Sequence, residues 1–161
     1  MGVIIGLDPG LADTGYGVIE AGGGKIRHLA HGSIRTSAGT DQGERLKIIY
    51  EGLVALLEEY SPQAAGIEAL FFAKNRTSAI PVAEARGVLL LALCQRGIAA
   101  FEYPPQAIKQ ALTGDGRAEK HQVQTMVKLL LGLKEIPSPD HAADALGAAV
   151  CCYHNQGALR S

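Results

Sequence analysis

The run Val3-Ile4-Ile5-Gly6-Leu7 is apolar without a break and stops abruptly at Asp8-Pro9-Gly10. Such a run, lacking polar alternation, fits a strand covered on both faces, and so the middle of a sheet. Everything after it must then supply neighbouring strands and two covering layers. An acid at the tip of a central strand is poorly hydrated, so it needs a cation, a set of donors or a proton. The plainer reading is that Asp8 only opens a turn, with Pro9 and Gly10 in the second and third places of type II.

The remaining pattern supplies the partners. Thr14 to Glu20 reads as a second strand, in which Gly15 and Gly17 share a face, as where another backbone or a ligand comes close. Gly22-Gly23-Gly24 is a turn, and Lys25 to Thr36 is a more polar, edge-type strand. Asp41-Gln42-Gly43-Glu44 predicts a capping box for a helix carrying Leu46, Ile49, Leu53 and Leu56, ended by Pro62. Ala64 to Glu68 is a fourth strand that again ends in an acid, and Ile98 to Tyr103 is a fifth. Between these two runs a helix from about Thr77 to Gln95 that is apolar on nearly every side. Short helices are expected from Pro104-Pro105 to Leu112 and from Glu119 to Leu131, and a last one, capped by Ser138, to about Tyr153. The expectation is an α/β chain with a five-stranded mixed sheet: three antiparallel strands, then parallel ones, flanked by helices. A chain of 161 residues suits one domain, with a loose tail from about residue 155.

Composition narrows the function classes. The net charge of -1 argues against indiscriminate coating of nucleic acid, yet leaves room for a local basic face. No apolar run approaches a membrane span and no secretory pattern opens the chain, which predicts a cytoplasmic protein. Cys94, Cys151 and Cys152 have no metal spacing and are expected as small helical core residues.

The chemistry should lie in the acids. Asp8 and Glu68 end parallel strands, at the sheet edge where α/β ligand sites form. The last helix adds Asp140, His141 and Asp144; the last two, three residues apart, share a face. Around them Ala142, Ala143, Ala145, Ala148 and Ala149 are small enough to let this helix lie close to the sheet. Taken singly, each acid is explained by a surface strand end or a helix dipole. Jointly, such groups repel one another unless a divalent cation sits among them, and oxygen-rich sites suit Mg²⁺ or Mn²⁺. Two ions roughly 3.5–4 Å apart would clamp a phosphodiester for in-line displacement. As a first-turn residue, His141 is expected to stay neutral under the helix dipole.

Four segments, Ile5 to Gly10 with Thr14 to Gly17, Ile67 to Asn75, Arg117 to Val123, and Asp140 to Leu146, are collinear with the RuvC family of bacterial Holliday-junction resolvases, which the chain resembles over nearly its whole length. The resemblance implies an RNase H-like fold, a homodimer and Mg²⁺-dependent paired incision of four-way DNA junctions in recombination and repair. It places the catalytic and metal-binding groups at Asp8, Glu68 and Asp144, with His141 at the fourth position and Asp140 as its rival. It also suggests the RuvA–RuvB branch-migration complex as a partner.

Phe71 and Phe72 follow Glu68 in an apolar loop; one is expected to cover the core, and Phe71 is the family's candidate wedge or base-stacking group. Lys74, Arg76, Lys109, Arg117 and Lys120 lie in or beside loops at the same edge and are expected to contact phosphates, Lys109 and Lys120 with most support from the family. The rival readings are another nuclease of the same fold, a junction-binding module without catalysis, and a phosphate-binding domain of the actin and sugar-kinase kind, which would need a second lobe.

Overall fold

A computed structural model describes residues 2–69 and 76–156. Strands β1 (Gly2–Asp8), β2 (Asp13–Gly22), β3 (Lys25–Arg35), β4 (Ala64–Glu68) and β5 (Ala99–Tyr103) form one sheet in the order β3-β2-β1-β4-β5. The first three are an antiparallel meander; β4 and β5 join parallel to β1. The helices are α1 (Gln42–Tyr60), α2 (Arg76–Gln95), α3 (Pro105–Thr113), α4 (Lys120–Leu130) and α5 (Asp140–Asn155).

The unbroken apolar run of β1 is central because the chain has a covering layer for each face. Ile5 and Leu7 point into a core built with α1 and α2, through Ile49, Leu53, Leu57, Leu89 and Leu93. Ile4 points the other way, into a core shared with α3, α4 and α5. Period-two alternation then sends Gly6 and Asp8 toward the α5 side.

Alpha-helix α5 lies unusually close to the sheet. A Cβ on Gly6 would fall 1.8 Å from the Ala145 carbonyl oxygen, and one on Gly66 would fall 2.4 Å from that of Ala148. On β2, a Cβ on Gly15 would meet the His141 carbonyl oxygen at 2.0 Å, so the glycine spacing marks the approach of a backbone. Ala142, Ala145, Ala148 and Ala149 are fully buried there.

Several local expectations are corrected. Gly10 is not among the residues with positive φ, so the turn after Asp8 is not type II; glycine is needed because a Cβ would lie 2.3 Å from the Asp13 carbonyl oxygen. Asp41 is the N-cap of α1 but makes no side-chain cap bond, its exposed first turn being open to water. The capping box forms instead at α4, where the Glu119 N–H donates to Gln122 Oε1 at 2.9 Å. Pro139, not Ser138, caps α5: its carbonyl accepts from the N–H groups of Ala142 and Ala143, and the helix begins one residue later than expected. Cys151 and Cys152 are buried as expected, but Cys94 is exposed because it falls on the outer face of α2. That helix buries Ala85, Leu89, Ala92 and Leu93 and leaves Ile80 and Leu91 exposed.

Candidate active site

Three elements deliver the acids to one edge. Asp8 closes β1 on the face turned to α5. The parallel register pairs Leu7 with Ile67, which sets Glu68 beside Asp8 with the same parity. The glycine floor under α5 brings its first turn against β2, and one turn further on Asp144 follows His141 on the same face. Ligand atoms of Asp8, His141 and Asp144 all lie within 4.8 Å of one another. His141 Nδ1 donates to Asp8 Oδ2 at 2.8 Å.

Crowding of like charge shows in the proton affinities. Burial, then the charges of Asp8 and Asp144 and a hydrogen bond with Asp8, push the Glu68 carboxyl up to about 8, against a weaker opposing pull from Lys109. Burial and the Asp8 charge raise Asp144 to about 6, opposed by Lys120 and His141. His141 departs from expectation. Its partial burial favours the neutral ring, but the hydrogen bond and charge of Asp8, together with Asp13 and Asp144, outweigh it and raise its pKa. Full carboxylate charges at this range exceed the partial charge of a helix end, so without a cation the ring's balance moves toward imidazolium rather than toward the neutral form.

Asp140 takes no part in the cluster. It is exposed, 3.0 Å from Lys120 Nζ, and accepts weakly from Gln124 Nε2 at 3.4 Å; the Lys120 pairing holds its carboxyl below the usual range. One residue turns a helix by about 100°, enough to aim Asp140 at α4 while His141 faces Asp8. The same pair ties up Lys120, one of the three lysines expected to meet phosphate. Lys109 instead acts electrostatically on Glu68 and lines a groove with Arg117. Phe71, Phe72 and Lys74 lie outside the described residues, and of Arg76 only the backbone in α2 is described.

Asp13 is the residue that sequence reasoning missed. It opens β2 with the parity of Gly15, its charge acts on His141, and its Oδ1 is buried without a hydrogen-bond partner. The clue was available: an acid two residues before the glycine that touches α5.

The donor set fits a hard divalent cation. It consists of carboxylates with one imidazole, held in a half-open cleft, and the two most crowded acids bind protons tightly in the absence of another positive charge. With a cation there, a strand-end edge of this kind can bind a phosphate oxygen and a water together.

Comparison with known proteins bears on this geometry. The family model described as "Crossover junction endodeoxyribonuclease RuvC" matches residues 4–152. A relative of that description from Treponema denticola is 57% identical over 147 residues, covering 91% of this chain and 83% of the relative. Among solved structures, T. thermophilus RuvC in complex with Holliday junction substrate aligns with a TM-score of 0.90 at 37% identity, covering 94% of this chain and 92% of that one. The yeast mitochondrial Holliday junction resolvase Ydc2, 13% identical with a TM-score of 0.68, covers 97% of this chain and 81% of that one and shares the fold.

Proposed function

The chain belongs to the RuvC family of crossover junction endodeoxyribonucleases, and on that premise we propose that it resolves four-way DNA junctions by metal-dependent phosphodiester hydrolysis in recombination and repair. The observation that carries this reading is the meeting of Asp8, His141 and Asp144 within 4.8 Å, with Glu68 on the adjoining strand end. A junction-binding module without chemistry would have no use for acids held at such electrostatic expense, and the fold alone would not separate a resolvase from other nucleases.

Asp8, Glu68, Asp144 and His141 would hold the cation, Mg²⁺ with Mn²⁺ able to replace it, at two ions per site. When bound, such ions supply an activated water and neutralise charge on the leaving oxygen. The chain's own groups then have separate tasks. The carboxylates would hold the ions at the strand-end edge, and Asp8 orients the His141 ring through Nδ1. Lys109, beside Glu68, meets the phosphate of the strand being cut, with Arg117, Lys120, Lys74 and Arg76 along the flanking DNA. Phe71 stacks on a base or wedges the crossover.

The working unit is a homodimer. A four-way junction is close to twofold symmetric, and a pair of copies presents the site twice. The outer face of α2, with Ile80 and Leu91 exposed, offers the apolar surface. The RuvA–RuvB motor is the partner that fits a resolvase, and such an enzyme works in the cytoplasm with the chromosome; no helix among the described residues is long and apolar enough to cross a membrane. Incubation of the protein with an end-labelled four-way junction, with and without Mg²⁺, tests the proposal. Paired nicks that require the cation are expected; no incision, or incision in chelator, refutes it.

A further inference from the structure

Beside the acids lies a groove of about 480 Å³, lined by Pro104, Pro105, Gln106, Lys109, Gly116 and Arg117. Its floor begins where β5 ends. Glu68 pairs with Tyr103 in the parallel register, so Pro104 and Pro105 continue the same edge one strand over. Lys109 belongs to both places, since its charge acts on Glu68 while its side chain lines the groove. The volume falls within the roughly 300–1,000 Å³ usual for small-ligand sites and has room for one nucleotide.

The far wall is a braced loop rather than a loose one, despite its glycines. Thr113 Oγ1 donates to the Lys109 carbonyl at 2.8 Å and accepts from the Asp115 N–H, and Asp115 Oδ1 accepts from the Arg117 N–H at 2.8 Å. Gln110 uses its amide within this loop, accepting from the Gly116 N–H and donating to the Gly114 carbonyl. Gln106, one turn earlier on α3, is exposed, and its amide makes no hydrogen bond to the described residues. Its stem passes close over the loop: its Cγ lies 2.8 Å from where a Cβ on Gly116 would be.

We propose that this groove holds the nucleotide adjoining the scissile phosphate on the Glu68 side, and that Gln106 reads its base. The assignment rests on the junction-cutting reading above. The lining divides the work by chemistry. Lys109 and Arg117 are cations that suit the phosphates on either side and carry no sequence information. The prolines offer apolar faces to the sugar and base. Gln106 has an adjacent donor and acceptor, the pattern that matches adenine N6 and N7 foremost. The braced loop gives the groove its far wall before DNA arrives, so the loop itself need not be ordered on binding.

The test measures single-turnover cutting, in Mg²⁺, of a panel of four-way junctions whose bases are varied one position at a time around the crossover. The native chain should prefer one base at a position next to the cut, by about tenfold over the worst, the discrimination typical of one bidentate contact. Gln106→Ala should flatten the preference at that position alone. Gly116→Ala, whose new methyl displaces the Gln106 side chain, should flatten the same position. Lys109→Ala should slow every junction by a common factor. A Gln106→Ala protein with the native preference intact, or one slowed equally on all sequences, overturns the assignment while leaving junction cutting in place. A native chain that cuts no member of the panel refutes the junction-cutting reading itself, and this assignment with it.

Discussion

Replacing Glu68 with glutamine should stabilise the protein in chelator and do so increasingly as pH rises. The carboxyl is pushed from 4.5 to about 8 by burial and by Asp8 and Asp144. The folded chain therefore binds this proton more tightly than the unfolded chain. Below about pH 4.5 both states are protonated and the group favours neither. As pH climbs toward 8 the unfolded chain ionises freely while the folded one resists, so stability is lost through that window and levels off above it. Each tenfold change in proton affinity is worth about 1.4 kcal/mol, which sets a ceiling of roughly 5 kcal/mol for the full displacement. Glu68 shares its strain with two neighbouring acids at a solvent edge, which brings the expected difference to about 2 kcal/mol. For a chain of this length that is a rise in Tm of about 4–8 °C. Thermal melts of the native and Glu68→Gln proteins in EDTA, from pH 4 to 9, should coincide at the acid end and separate toward pH 8. Excess Mg²⁺ or Mn²⁺ should close or reverse the gap, because a ligand at a hundred times its Kd stabilises the native site by about 2.7 kcal/mol. A variant that melts at or below the native protein at pH 8 in EDTA, or a gap independent of pH, would refute the crowding argument.

Three further outcomes are expected. Asp8→Asn, Glu68→Gln and Asp144→Asn should each abolish junction cutting while gel-shift binding in chelator persists; a variant that cuts normally removes its residue from the metal site. His141→Ala should be severely impaired and His141→Asp active with preference moved toward Mg²⁺, since imidazole is the softer ligand, whereas Asp140→Asn, whose carboxylate is tied to Lys120, should cut nearly normally in both metals; the reverse pattern would exchange the two assignments. Gly6→Ala should lower stability by about 3 kcal/mol in denaturant melts, because the added methyl meets the Ala145 carbonyl of α5 and neither backbone can yield cheaply; an unchanged midpoint would mean that α5 is free to lift.

The periodic parts of the chain were legible from residues alone. Val3 to Leu7 could be assigned to the sheet centre because continuous apolar character leaves no face for water. The alanine run of α5 announced a helix close to the sheet, and the glycines of β2 announced that a backbone or a ligand comes near, which the structure resolves as the backbone of α5. Asp8, Glu68 and Asp144 stood out because acids at strand ends and in apolar stretches have few ordinary explanations. Where signals were local and exposed, reading by rule was weaker. Ser138 and Asp41 have the right chemistry for caps, yet water competes for those donors and the helix could begin a residue later without loss. Gly10 suited a type II turn by composition, but its real constraint is a neighbouring carbonyl, which no local rule contains.

By itself the sequence determined the order of elements, the two covering layers and which acids end at the same sheet edge, because these follow from hydrophobic period and chain direction. Only the tertiary structure decided which charges meet. The pairing of Lys120 with Asp140, the bond from His141 to Asp8 and the reach of Asp13 to His141 join residues far apart in the chain or on different elements. So does the state of the His141 ring, which the helix end pulls one way and three carboxylates pull the other. Electrostatic energy depends on distance through space and on burial, and neither is written in the spacing of residues along a chain.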